Sequence, residues 1–232
     1  MRRAMRELSF GILGLSPGNG HPYSWSAIFN GYDRDAMATC PFPVIPAYLA
    51  ERTFPDDAIA GARVTHVWTQ DRAVSEHVAQ ASRIDRVVDR PEDMIGSVDG
   101  VLLARDDAER HPLLAAPFLD AGLPIYIDKP LALSGRDARK IYARQARPGQ
   151  IFTCSALAFA AELSLTARDK SDIGRLRYAE AVTAKDWGRY AVHVIEPLLT
   201  LAADEGGLHP IVGSGAGPRH PDMSFQAGVL AP

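Results

Sequence analysis

Segments rich in apolar residues alternate with amphipathic segments through the N-terminal part of the chain. Four of them are of strand length and end in turn residues, at positions 8–15, 62–71, 98–104 and 124–128. The continuous apolar run of the first is typical of a strand buried on both faces of a parallel sheet. The segments between them, such as 72–82 and 108–122, carry apolar residues at helical spacing. This β-α-β-α-β order predicts an α/β fold, a Rossmann-type doubly wound parallel sheet.

Capping residues and prolines set the expected helix limits. Ser134 with Asp137 three residues on predicts the start of a helix after the fourth strand. A helix turn or two is predicted at 24–30, where Gly31 ends it. Several prolines between positions 32 and 61 break any long element, so we expect an irregular insertion there with one short helix near 47–52.

A different pattern follows Gly149. Two strands are predicted at 150–159 and 174–185, with a helix between them at 161–170. We therefore place a domain boundary near Pro148, which gives a dinucleotide-binding domain at 1–148 and a second domain at 149–232. The tail from about 206 is rich in Gly, Pro and His and is expected to be loop.

Composition excludes several kinds of partner. The formal net charge is −3 and the basic residues are scattered, which gives no support for binding of nucleic acid or of an anionic membrane. Cys40 and Cys154 lack metal-ligand spacing, so no metal site is predicted. Residues 1–7 are too short and too charged to lead a signal peptide, and we expect a cytoplasmic protein with reduced thiols.

The loop after the first strand is a degraded dinucleotide-binding fingerprint. In a doubly wound sheet, this loop and the following helix N-terminus can bind a pyrophosphate. Aligned from Gly14, Ser16 stands at the second glycine of G-x-G-x-x-G and Asn19 at the third. Gly14, Ser16, Pro17, Gly18 and Asn19 are therefore predicted cofactor-binding residues. The alternative is an ordinary glycine-rich turn.

An acidic residue at the end of the second strand can bind the ribose hydroxyls of the cofactor. Asp71 stands there, although it could equally cap the helix that follows. Its charge would repel a 2′-phosphate, whereas the neighbouring Arg72 could pair with one. The sequence therefore favours NAD over NADP only slightly.

Two stretches resemble one enzyme family. "DGVLLARDDAERHPLLAAPFLDAGLPIYIDKPLA" and "WGRYAVHVIEP" are similar to segments of the Gfo/Idh/MocA oxidoreductases, whose fifth strand ends in E-K-P. The resemblance implies that Lys129 is catalytic, reaching between nicotinamide and substrate, and that Pro130 holds the strand-end backbone. Asp128 replaces the glutamate and is expected to orient the lysine beside the cofactor.

The second stretch supplies the expected substrate contacts. The family has H-x-x-D where this chain has His193 and Glu196. The resemblance implies that His193 acts as acid or base on the substrate hydroxyl, with Glu196 and Tyr190 as substrate contacts. Asp186 is a further substrate candidate, or a helix cap. Without the resemblance, His193 would be interpreted as an ordinary core histidine.

The end of the third strand departs from the family pattern. Arg105 and Asp106 stand where the family usually has proline and asparagine beside the cofactor. His111 matches a family histidine, but it could equally be a helix-start residue packed on the sheet edge. Arg105 and His111 are kept as cofactor-binding candidates.

The resemblance implies an NAD(P)-dependent oxidoreductase that transfers a hydride to or from a CH–OH carbon of a sugar, sugar derivative or cyclitol. Lys129 and His193 can each handle the proton, and the sequence does not say which accepts it. Family members have a broad antiparallel sheet in the second domain, so we expect a truncated α+β domain here, forming a homo-oligomer through that sheet. The alternative is a nucleotide-binding sensor or partner subunit without catalysis.

Overall fold

The structure is a computed structural model that describes residues 6–174, 178–183, 186–203, 209–211 and 225–230. The chain divides into two compact units, Met1–Thr153 and Cys154–Pro232. None of the helices in these described ranges is long and apolar enough to cross a membrane.

The first unit contains a parallel six-stranded sheet in the order β3-β2-β1-β4-β5-β6. Its strands are β1 (Leu8–Leu13), β2 (Ala62–Trp68), β3 (Arg86–Val87), β4 (Gly100–Leu103), β5 (Ile125–Ile127) and β6 (Ile151–Phe152). The strand order reverses between β1 and β4, which is the doubly wound topology of a Rossmann fold. The predicted parallel sheet is confirmed.

The two shortest strands were not predicted correctly. A run of two residues, as in β3, shows no periodicity that could indicate a strand. Residues 151–152 were assigned to the second module, but β6 pairs in parallel with β5, with Ile151 opposite Ile125. The strand predicted at 150–159 ends with β6, at Phe152. Short 3-10 helices follow at Ala156–Phe159 and Ala161–Leu163.

Six α-helices lie in residues 6–153, the described part of the first unit. They are α1 (His21–Asn30), α2 (Arg34–Ala38), α3 (Val44–Ala50), α4 (Arg72–Ala81), α5 (His111–Asp120) and α6 (Gly135–Tyr142). The predicted cap of α6 is confirmed, because Ser134 Oγ accepts a hydrogen bond of 3.1 Å from the backbone N–H of Asp137. The irregular insertion was predicted wrongly in part. It contains two helices, and α2 is capped by Asp33.

Both faces of the sheet are buried, as the apolar run of β1 predicted. Ile12 and Leu13 are fully buried and belong to different core clusters. Because successive side chains of a strand point to opposite faces, this places one cluster on each side of the sheet. In a sheet covered in this way, ligands bind beyond the carboxyl ends of the strands.

The second unit contains a small antiparallel sheet in the order β7-β9-β8. Its elements are α7 (Ala167–Ile173), β7 (Tyr178–Thr183), α8 (Trp187–Tyr190), α9 (Val192–Ala203), β8 (His209–Ile211) and β9 (Phe225–Leu230). The prediction that the chain beyond 206 is loop is therefore wrong for the two segments that form β8 and β9. The predicted helix at 161–170 begins later, at Ala167, after a capping box formed by Thr166 and Asp169.

Candidate cofactor-binding and catalytic site

Two glycines shape the loop between β1 and α1. A Cβ added at Gly14 would lie 2.2 Å from Cγ of Pro22, so only glycine lets the helix pack directly on the strand end. Gly18 has a φ of +80°, and a Cβ added there would meet nothing within 4 Å. Pro17 and Gly18 form the exposed tip of the loop, whereas Ser16 and Asn19 are buried.

The N-terminus of α1 is closed by the loop's own side chain. Gly20 is the N-cap residue and makes no side-chain cap. Instead, the backbone N–H of His21 donates to Oδ1 of Asn19 at 2.8 Å. Asn19 thus satisfies one of the N–H groups at the start of α1 that were predicted to bind a pyrophosphate.

Asp128 joins this loop to the end of β5. Its side chain is 1% exposed, and its Oδ2 accepts from Nδ2 of Asn19 at 2.9 Å. The same oxygen lies 2.6 Å from Nδ1 of His21, whose ring stacks on Trp25. Oδ1 accepts from the backbone N–H of Lys129 at 2.8 Å. The carboxylate therefore fixes the backbone from which the Lys129 side chain projects.

A second network, around the buried Arg105, lies at the end of β4. The Arg105 guanidinium donates to both carboxylate oxygens of Asp107, at 2.8 and 2.6 Å, and to Oε1 of Gln70 at 2.9 Å. Burial raises the pKa of Asp107, but the hydrogen bonds and charge of Arg105 outweigh it, so this pKa lies below its usual value. Gln70 also binds the backbone of Leu15 on both its N–H and its carbonyl. The network ties β2 and β4 to the loop after β1.

Ser16 and Asp106, two departures from the family pattern, contact each other. Ser16 Oγ donates to Oδ1 of Asp106 at 2.6 Å and accepts from the Asp106 backbone N–H at 3.1 Å. A glycine at position 16 could make neither hydrogen bond. The serine therefore fits the acidic residue that stands where the family usually has asparagine.

His111 is fully buried at the start of α5. Its Nε2 lies 2.8 Å from the carbonyl oxygen of Arg105, and its Nδ1 lies 3.0 Å from that of Leu131. The ring therefore connects the end of β4 to the segment that follows Lys129 and Pro130. This is a bridging position, and a direct contact with the cofactor stays a prediction.

A cleft of about 370 Å³ lies beyond the carboxyl end of β2. Its lining residues are Trp68, Thr69, Gln70, Arg72, Ser75, Val88 and Asp89. Asp71 caps α4, because its Oδ1 accepts from the backbone N–H groups of Ala73 at 2.8 Å and Val74 at 3.3 Å. The capping role is therefore confirmed, and contact with a ribose stays a prediction.

The remaining predicted residues lie in the second unit. Ser155, which the sequence did not single out, is buried between two of them: its Oγ lies 2.6 Å from Nδ1 of His193, and its backbone N–H donates to Glu196 at 2.5 Å. The rings of Tyr190 and His193 are 5.9 Å apart. Asp186 caps α8 by accepting from the backbone N–H of Arg189 at 3.0 Å.

The structure thus brings together two groups of predicted residues. One group surrounds the carboxyl ends of β1, β4 and β5, and comprises Gly14, Ser16, Pro17, Gly18, Asn19, Arg105, His111, Asp128 and Lys129. The other is Tyr190, His193 and Glu196, around Ser155. His21 and Gln70 are functional candidates that sequence reasoning missed.

The first group lies where doubly wound sheets bind a dinucleotide. The glycine loop leads into a helix N-terminus where the strand order reverses, which is where doubly wound sheets bind pyrophosphate. The open space beside Gly18 lets a ligand approach the backbone. The cleft at the end of β2 is where the adenosine half of such a ligand would lie.

Comparison with known proteins agrees with this geometry. Residues 46–155 match the Gfo/Idh/MocA family model, described as an oxidoreductase family with an NAD-binding Rossmann fold. Inositol 2-dehydrogenase 1 of Saccharopolyspora erythraea is 38% identical over 96 residues, which cover 40% of this chain and 28% of that enzyme. The match therefore spans little more than a quarter of the length of this relative.

Solved structures show the same fold. A Gfo/Idh/MocA family oxidoreductase from Vibrio cholerae superposes with a TM-score of 0.59 at 17% identity, over 95% of this chain and 68% of that one. Myo-inositol 2-dehydrogenase from Lactobacillus plantarum superposes with a TM-score of 0.55 at 15% identity, over 89% and 58%. At such identities the likeness concerns the fold alone.

Proposed function

We propose that this chain, whose residues 46–155 match the Gfo/Idh/MocA family model of NAD-binding oxidoreductases, is a dehydrogenase acting on a CH–OH group. The substrate is a sugar, a sugar derivative or a cyclitol. The observation that carries this proposal is the buried Asp128, which joins the dinucleotide loop to the backbone of Lys129. A residue so placed couples the position of the cofactor to that of the proposed catalytic lysine.

The nicotinamide supplies or accepts the hydride when it is bound, and the protein must move one proton at the substrate oxygen. Lys129 takes part in that proton transfer at the carboxyl end of β5. His193 is the second proton-handling residue, with its Nδ1 held beside Ser155. Glu196 and Tyr190 are substrate contacts in the same group.

The similarity to inositol 2-dehydrogenase 1 supports a cyclitol or sugar substrate. The 96 residues shared with inositol 2-dehydrogenase 1 are 38% identical, and inositol carries the secondary hydroxyls that this chemistry requires. Hydroxyl-rich substrates are bound by polar side chains that accept and donate hydrogen bonds, as Glu196, Tyr190 and His193 can do.

Titration of the purified protein with NADH and with NADPH, followed by nucleotide fluorescence, tests the proposal. We expect saturable binding of at least one nucleotide, and NAD⁺ reduction with a member of a panel of inositols and hexoses. Binding without turnover on any panel member would favour the alternative, a nucleotide-binding sensor or partner subunit. Absence of binding to either nucleotide would overturn both.

Asp71→Ser is expected to shift nucleotide preference toward NADPH. Serine caps helices about as well as aspartate, so α4 keeps its cap while the charge beside the ribose is removed. The measured quantity is the ratio of the Kd values for NADPH and NADH. Asp33→Ser is the matched control, since Asp33 caps α2 in the same way. An unchanged ratio in Asp71→Ser would mean that Asp71 is a helix cap only.

A further inference from the structure

One basic and one acidic side chain line the cleft beyond β2, and two further acids lie on the adjoining helix. Arg72 and Asp89 line it, and Asp71 and Glu76 lie on the first turns of the adjoining helix α4. Glu76 and Asp89 both accept from the Arg72 guanidinium, whereas the Asp71 carboxylate caps α4. A phosphate that entered the cleft would meet the negative charge of Asp89 at its lining.

The Arg72 guanidinium is shared between two of these carboxylates. Its Nε donates to Glu76 at 2.8 Å and its Nη1 donates to Asp89 at 2.5 Å. Arginine recognises phosphate best when two parallel N–H groups of its fork are available together. The two carboxylates occupy different N–H groups of the guanidinium, so Arg72 has no free pair of parallel N–H groups to donate to a phosphate.

We propose that Asp89 is a specificity-determining residue that excludes the 2′-phosphate of NADP(H) and so selects NAD(H). It acts through its own charge at the cleft and by holding the guanidinium of Arg72. This inference rests on the proposed function, and it adds a determinant 18 residues beyond Asp71 in the chain. Asp89 reaches the cleft because β3 ends two residues before it, beside the end of β2.

The charge of Asp89 contributes more to exclusion of the 2′-phosphate than its ion pair with Arg72 does. The side chains of Arg72 and Asp89 are 55% and 84% exposed, and exposed ion pairs of this kind stabilise proteins little. Repulsion between a carboxylate and a nearby doubly charged phosphate acts whether or not the pair is formed. Because both groups are solvated, that repulsion is reduced by added salt.

Asp89→Asn tests the proposal with equilibrium titrations of NADH and NADPH. The substitution removes the charge and keeps the shape. We expect the Kd for NADPH to fall about three- to tenfold relative to that for NADH, with a smaller change in high salt. Adding Arg72→Gln to this variant is expected to remove part of the gain, because the released guanidinium can no longer bind the phosphate while the repulsion by Asp89 stays relieved.

Asp85→Asn is the matched control. Asp85 is an exposed acid at the amino end of β3, where it pairs with Arg63, and it does not line the cleft. Equal shifts in Asp89→Asn and Asp85→Asn would mean that net charge alone matters, and no shift in Asp89→Asn would mean that Asp89 is remote from the phosphate. Either result overturns the inference and leaves the proposed function standing. Wild-type protein that binds neither nucleotide overturns the proposed function itself.

Discussion

Lys129→Ala is expected to lower turnover by a factor of roughly 100 or more, the usual scale for loss of an acid–base group. Binding of NADH is expected to stay within a few-fold of the wild-type value, because Asp128 still holds the loop through Asn19 and His21. The measurements are steady-state turnover with the substrate found in the panel and a fluorescence titration of the nucleotide.

Lys140→Ala provides the control for this prediction. Lys140 is an exposed lysine of α6 that pairs with Asp137, so its loss should leave turnover unchanged. A Lys129→Ala protein with wild-type turnover would remove Lys129 from the catalytic group. A loss of nucleotide binding as large as the loss of turnover would instead make Lys129 a cofactor-binding residue.

Asp128→Ala is expected to destabilise the first unit by about 2–4 kcal/mol, because it leaves one buried and two partly buried groups without their hydrogen-bond partner. The donors are the side-chain amide of Asn19 and the backbone N–H of Lys129, together with the ring of His21. Thermal or urea denaturation, followed by circular dichroism, measures the change.

Asp120→Ala is the comparison for this second variant. Asp120 pairs with Arg144, and both side chains are about half exposed. Its removal is expected to cost less than about 1 kcal/mol, as is usual for exposed ion pairs. If Asp128→Ala unfolded at the same urea concentration as Asp120→Ala and the wild type, the carboxylate of Asp128 would not stabilise the contact between the loop and β5.

The parts of the fold that could be predicted from the sequence are those with a local signal. The strands β1, β2, β4 and β5 have apolar residues bounded by turns, and α6 has its cap and first turn adjacent in sequence. The strands β8 and β9 have no such signal, since their surroundings are rich in glycine and proline. β9 pairs with β7 and β8 pairs with β9, and pairing partners are not visible in a local pattern.

The site shows the same division. Loop residues and Lys129 could be predicted because a motif marks them. His21 lies 107 residues from Asp128, and Gln70 lies 55 residues from Leu15, so each partnership exists only after the sheet has assembled. Ser155 was missed for the same reason, since it lies 38 residues before His193. A histidine, a glutamine or a serine outside a motif gives no sequence signal of such a partner.

The reciprocal hydrogen bonds between Ser16 and Asp106 make these two positions epistatic. Glycine at position 16 would remove the hydroxyl that donates to the Asp106 carboxylate and accepts from its backbone N–H, whereas asparagine at 106 would keep an amide oxygen able to accept from Ser16. An engineer who transplants the glycine fingerprint of other dinucleotide-binding proteins into this loop therefore also disconnects the loop from the end of β4 at this point.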